Sequence, residues 1–171
     1  MLEGLTPARH RDLDGRDWHV WVRRGLLGLV VVVLALALAD AYGQRQVTKR
    51  VGAAGVGLEV QAPARIRGGL LFQARITVTA RGGLKDARLI LDEGWSDGFQ
   101  MNTIEPSPIG EASANGRLSF DLGHVPAGER HVLWLQFQVD STTVGRRRHD
   151  VSLYDGNRYL MTVHHDLVVL P

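Results

Sequence analysis

Fifteen consecutive residues, 25–39 (GLLGLVVVVLALALA), carry no polar or charged side chain, and from residue 58 onward apolar and polar positions alternate. The first pattern predicts a membrane-spanning helix and the second predicts β-strands. A span needs about 20 mainly apolar residues, so the predicted helix is extended to residues 23–43. Arg23 and Arg24 stand at its start and Tyr42 near its end. Trp18 and Trp21, three positions apart, share a helical face just upstream, and tryptophan favours the membrane–water interface. Trp18, Trp21, Arg23, Arg24 and Tyr42 are the expected interface residues.

Two other readings of the apolar run compete. Ala39-Asp40-Ala41 has the small-x-small form of a signal cleavage site, with the cut before Tyr42. Against it, the preceding region is long and holds Glu3, Asp12, Asp14 and Asp17, where a signal peptide is short and basic. A buried core helix is the third reading. Four successive valines (residues 30–33) form helix poorly in water, and no second helix is predicted to cover them.

Residues 44–57 are polar and basic, then rich in Gly and Ala, and read as a juxtamembrane linker. A first strand opens at Leu58 and stops at Pro63. Residues 71–80 are the clearest strand, with Phe72, Ala74, Ile76 and Val78 on one face and Gln73, Arg75, Thr77 and Thr79 on the other. Further strands are predicted around Ala87, Leu89 and Leu91, over residues 99–104, around Leu118, Phe120 and Leu122, and through Leu133, Leu135, Phe137 and Val139. Val151 begins another, Asp155-Gly156-Asn157 is a hairpin turn, and a last strand runs from Tyr159 to about Leu170. Seven or eight strands without a helix between them predict a two-sheet β-sandwich.

The stretch Leu118-Ser119-Phe120-Asp121-Leu122-Gly123-His124-Val125-Pro126-Ala127-Gly128-Glu129, followed by an alternating strand, resembles a hairpin that recurs in bacterial cell-surface immunoglobulin-like domains. The resemblance covers roughly residues 57–171. It implies an immunoglobulin-like β-sandwich and no particular activity. The Ala-, Arg- and Val-rich composition and the layout also resemble small single-pass membrane proteins of unknown function from high-GC bacteria of actinobacterial type.

Charge refines the topology. Residues 1–56 hold eight Lys/Arg against five Asp/Glu, and residues 57–171 hold twelve against thirteen. The excess flanks the apolar run, and the arginines before it favour a cytoplasmic N-terminus and an extracytoplasmic β-domain. A nucleic-acid-binding domain would carry the excess itself. The absence of cysteine excludes disulfides, thiol catalysis and thiolate zinc sites.

No nucleophile elbow, Walker loop or H-E-x-x-H motif occurs. His164-His165-Asp166 invites a metal reading, but adjacent strand residues face opposite ways, and His164 with Asp166 would need a third donor such as His149. Arg146-Arg147-Arg148 could meet anionic headgroups or an acidic partner, or simply be a solvated loop balanced by Asp140 and Asp150. Asp92, Glu93 and Asp97 lack the pattern of a calcium loop; with Glu105 they are the candidates for a carboxylate-based envelope hydrolase. Trp95, Phe99 and Met101 lie in and after a Gly-flanked connection, and Trp134 faces away from Leu133 and Leu135. These four are the candidate partner contacts, with a role in closing the core as the alternative.

The sequence therefore predicts a mainly β protein, an immunoglobulin-like sandwich behind one transmembrane helix. Its segments are a cytoplasmic 1–22, a helix 23–43, a linker 44–57 and a domain 58–171. The expected role is that of a non-catalytic accessory or scaffold subunit whose partners are the lipid bilayer and an integral membrane protein. No nucleic acid, small-molecule ligand, metal or cofactor is expected. The alternatives are a secreted or anchored envelope-binding module and the carboxylate hydrolase.

Overall fold

The structure, a computed structural model, describes residues 17–38 and 44–171. It divides into two compact units, one up to Tyr42 and one from Gly43 to Pro171. In the first unit, α1 spans Asp17–Leu38. Its stretch Trp18–Leu38 has a mean hydropathy of 2.1 and is long and apolar enough to cross a membrane. At 1.5 Å per residue it measures about 32 Å, close to the hydrocarbon thickness of a bilayer. The helix begins upstream of the expected residue 23, so that it takes in Trp18 and Trp21 as well as Arg23 and Arg24. Asp40, Ala41 and Tyr42, and with them the possible cleavage site, lie outside the described residues, as do residues 1–16 of the expected cytoplasmic segment.

The second unit contains thirteen strands among the described residues. These are β1 (Gln46–Ala53), β2 (Val56–Pro63), β3 (Arg65–Arg67), β4 (Leu71–Ala80), β5 (Leu84–Leu91), β6 (Phe99–Glu105) and β7 (Gly110–Ala114), followed by β8 (Arg117–Val125), β9 (Arg130–Val139), β10 (Gly145–Arg148), β11 (Val151–Asp155), β12 (Arg158–Val163) and β13 (Asp166–Leu170). Two five-stranded sheets, β1-β2-β4-β9-β6 and β12-β11-β5-β8-β7, are accompanied by a three-stranded sheet, β10-β13-β3. Pairing is antiparallel except between β13 and β3. The alternating residues of β4 and β9 meet those of β5, β8 and β11 in one core, which includes Ile76, Leu133, Leu135, Phe137, Leu89, Phe120 and Leu153. The chain is a mainly β sandwich preceded by one apolar helix.

Three local expectations are corrected. The expected linker 44–57 is mostly strand: β1 pairs with β2 from Gln46↔Pro63 to Ala53↔Val56. A tight turn joins them, with Ala54 at φ 50° and Gly55 at φ 80°, the positive pair of a two-residue hairpin loop. The strand shows no alternation because it is an edge whose residues are nearly all exposed. The domain therefore begins before residue 58.

The stretch that resembled a hairpin is not one. β8 pairs with β5 and β7, whereas β9 pairs with β4 and β6, so Pro126–Gly128 carry the chain from one sheet to the other. Gly128, at φ 79°, donates its N–H to the carbonyl of Ala80 at 2.8 Å and so ties the crossing to the end of β4. The expected last strand is also two strands. It breaks at His164-His165, where the chain leaves β11 and joins β3 and β10. Asp150 accepts the backbone N–H of His165 at 3.3 Å and binds the His164 ring at 2.8 Å, fixing that change of sheet. The Asp155-Gly156-Asn157 turn does join a hairpin, β11 with β12, through a one-residue irregularity after Leu153.

Candidate functional site

The four candidate contacts separate into interior and surface. Trp95 closes a single 3-10 turn, Glu93–Trp95, between β5 and β6. It is 0% exposed. Its indole N–H donates to the carbonyl of Asp150 at 3.2 Å, and its ring lies 4.5 Å from His149 and 5.3 Å from Phe137 between centroids. The turn sits this deep because Gly94 has no side chain: a Cβ there would lie 1.8 Å from the carbonyl oxygen of Arg148. Phe99, 7% exposed, packs edge-on against Phe72 and His149. Met101 is half-buried and leans on the same core. Trp95 and Phe99 are therefore core residues and not surface contacts, because burying an indole and a phenyl removes far more apolar area from water than a loop display would.

Trp134 remains. It is 38% exposed and lies on the outer face of the first sheet. The register runs Arg75↔Trp134↔Glu105 across β4, β9 and β6. The Arg75 guanidinium lies 5.4 Å from the indole centroid and 3.6 Å from Glu59, which also takes a 2.7 Å hydrogen bond from Arg50 Nε. The next row is Gln73↔Gln136↔Thr103, followed by Gln138↔Gln100. The face thus joins one aromatic ring to paired charges and neutral amides, which suits a specific polar contact surface centred on the ring.

The core holds a group that no local sequence pattern marks. His149 is 0% exposed among Trp95, Phe99 and Phe72, and neither ring nitrogen has a hydrogen-bond partner. Burial pushes its pKa down to about 3; the charges of nearby His165 and Arg147 add to this, and that of Asp166 opposes it. The ring is a neutral member of an aromatic cluster. His165 is also buried, and its Nε2–H donates to the carbonyl of Pro63 at 2.9 Å, pinning the end of β2 to the change of sheet. A histidine ahead of Asp in an alternating stretch carries no mark of either role.

Among the described residues no three metal-binding side chains converge. His149 is inside, His164 pairs with Asp150 at 2.8 Å, and Asp166 is taken by Arg146 at 2.7 Å, which holds its carboxyl below the usual range. Asp92, Glu93 and Asp97 do line one groove, with Arg146, Arg147 and Arg148, but no aromatic residue lines it. Asp92 is held by Arg117 at 3.2 Å and Asp97 by Arg147 at 3.1 Å, while Glu105 belongs to the other sheet. On α1, Trp18, Trp21, Arg23 and Arg24 are all near its start, with the Arg24 guanidinium 5.6 Å from the Trp21 ring.

No protein-family model matches the sequence, and comparison with curated proteins finds no match. Among solved structures the chain is similar to a non-cellulosomal cohesin from the hyperthermophilic archaeon Archaeoglobus fulgidus, at 12% identity over 63% of this chain and 86% of that one, with a TM-score of 0.42. It is similar to CaCohA2 from Clostridium acetobutylicum, at 12% identity over 62% and 85%, TM-score 0.42. It is similar as well to the reeler domain of human F-spondin, at 11% identity over 70% and 95%, TM-score 0.44. None of these likenesses carries a function to this chain.

Proposed function

We propose that this protein is a membrane-anchored, non-catalytic interaction module, an accessory or scaffold subunit of a protein complex in a bacterial cell envelope. The apolar helix holds it in the bilayer with the N-terminus cytoplasmic, and the sandwich stands outside the cytoplasm. The partner is an integral membrane protein, and the outer sheet face around Trp134 is the contact. Confinement to the membrane plane raises the effective concentration of that face for such a partner, so modest contacts suffice.

The half-exposed Trp134, backed by Arg75 and the Arg50–Glu59 pair, carries this reading. A large aromatic ring held in a fixed orientation on an otherwise polar face is a typical binding anchor. Extraction in mild detergent followed by affinity purification should recover one stoichiometric membrane partner, and Trp134→Ala should lose it. Recovery of the protein alone, or equal recovery by the variant, overturns the proposal. N-terminal sequencing of the mature protein checks the anchor separately: a first residue at Tyr42 makes it a secreted module.

A further inference from the structure

The three-stranded sheet has a face of its own. Ile66 of β3 and Leu167 and Val169 of β13 point into the core. Strand alternation then turns Arg65 and Arg67 of β3 and Arg146 and Arg148 of β10 outward, and all four are exposed. The pairing brings them together around β13, with Arg65↔Val168↔Arg146 across the sheet and Arg67 opposite Leu170. In sequence the two pairs are far apart, and only the parallel β3–β13 ladder makes them one surface.

The three strands carry four arginines and one carboxylate on this face, and Asp150, which holds the His164 ring, lines the adjoining cleft with Arg146, Arg148 and Asp166. The strand carboxylate is Asp166, bound to Arg146 at 2.7 Å and opposite Arg148 in the register, whose charge also acts on it; Arg65, Arg67 and Arg148 make no ion pair within 4 Å among the described residues. Aliphatic side chains fringe its end. Leu70 follows β3 and is 43% exposed, and Val144 precedes β10 and is 51% exposed. Their two loops flank the Leu170 end, where Gly68 donates to the carbonyl of Leu170 at 3.1 Å. Arginine heads beside exposed aliphatic groups match a surface that presents phosphate above hydrocarbon.

The chain's course favours the same occupant. Arg45 accepts a 3.0 Å hydrogen bond from Ala64, the residue before Arg65, so the arginine face begins where the chain enters the domain. Seven residue steps separate Arg45 from Leu38 of the apolar helix, a reach of at most about 25 Å. We infer that the Arg65/Arg67/Arg146/Arg148 face docks on the anionic surface of a phospholipid bilayer, with Leu70 and Val144 entering the headgroup layer. The inference deepens the anchored reading and rests on it for proximity to the bilayer.

The test uses the full chain in lipid discs of phosphatidylcholine with or without phosphatidylglycerol. The protein has no cysteine, so Val144→Cys accepts a single fluorophore, and brominated lipid reports its entry into the bilayer. Quenching is expected in the anionic discs, weak in the neutral ones, and abolished by high salt. The triple variant Arg65→Gln, Arg67→Gln, Arg148→Gln leaves the Arg146–Asp166 pair intact and should lower the docking equilibrium constant on the order of a hundredfold. Equal quenching in both discs, or a triple variant that quenches like the parent, overturns the inference, as does an unquenched label, which would leave the arginines to an acidic soluble partner. Flotation at high salt separates the two readings. A chain that leaves the lipid in salt but returns to anionic lipid without it supports docking while removing the anchor. A chain that never floats removes both.

Discussion

Trp95 and Trp134 carry the same side chain and were candidates for the same task, yet one is sealed in the core and the other lies half in solvent. The difference follows from what holds each one. Trp134 is fixed by strand parity: its neighbours Leu133 and Leu135 point inward, so it points out. Trp95 is placed by a turn, and the turn sinks because Gly94 lets it press against the backbone of Arg148. An aromatic residue in a glycine-flanked connection is therefore no sign of display, whereas an aromatic residue out of phase with a buried strand is.

The sharpest way to break this contrast is to truncate both rings. Trp95→Ala removes a fully buried indole that contacts His149 and Phe137, and should destabilise the domain by about 3–5 kcal/mol. Urea unfolding of the full chain in detergent, followed by near-ultraviolet circular dichroism, reads the loss. A change under about 1 kcal/mol would mean that Trp95 is not a core residue.

The ring that Trp95 stacks on makes the interior sensitive to acid. In the unfolded chain His149 takes up a proton near pH 6.5, while in the core it does so only near pH 3. Between those values the unfolded state binds more protons, so stability falls as pH falls through that window. The slope is about 1.4 kcal/mol per pH unit, or roughly 2 kcal/mol between pH 6.5 and 5. Urea midpoints across that range measure it, and His149→Phe, which keeps a ring without ionisable nitrogens, should flatten this part of the acid limb. An unchanged slope in that variant would place the acid sensitivity elsewhere.

Gly94→Ala attacks the turn rather than the ring. The new Cβ meets a backbone carbonyl and not a flexible side chain, so the turn must shift, at a cost of about 1–3 kcal/mol. Raised exposure of Trp95 to an aqueous quencher such as acrylamide would show that the glycine keeps the ring inside.

Period-two patterning made β4 and β9 legible in the sequence, because each buries one face and solvates the other. It failed for β1, an edge whose residues are nearly all exposed, and for the Pro126–Gly128 crossing, because a turn between two strands reads the same whether they pair or part. Trp134 was legible by parity alone. The arginine face was half legible: Arg146 and Arg148 stand in a visible run, but Arg65 and Arg67 reach them only through a parallel ladder between distant segments, which no local pattern encodes. His149 was not legible, since its burial depends on Trp95, Phe99 and Phe72 arriving from three other segments.

The smallest stability effect belongs to the outer ring. Trp134→Ala gives up a partly solvated indole and its contact with Arg75, and should cost the domain under about 1 kcal/mol. Its effect on association should be far larger, about 2 kcal/mol or more if the ring is an anchor, which is a loss of roughly thirtyfold or more in affinity. Arg75→Gln separates the ring from its support: it removes the cation over the indole and the 3.6 Å contact with Glu59 while leaving Trp134 in place. An intermediate loss of partner recovery in that variant, with urea midpoints close to the parent, is the outcome expected of an oriented ring. Full recovery would mean that the indole needs no orientation by Arg75, and matched losses in stability and recovery would mean that Trp134 belongs, like Trp95, to the structure of the sheet.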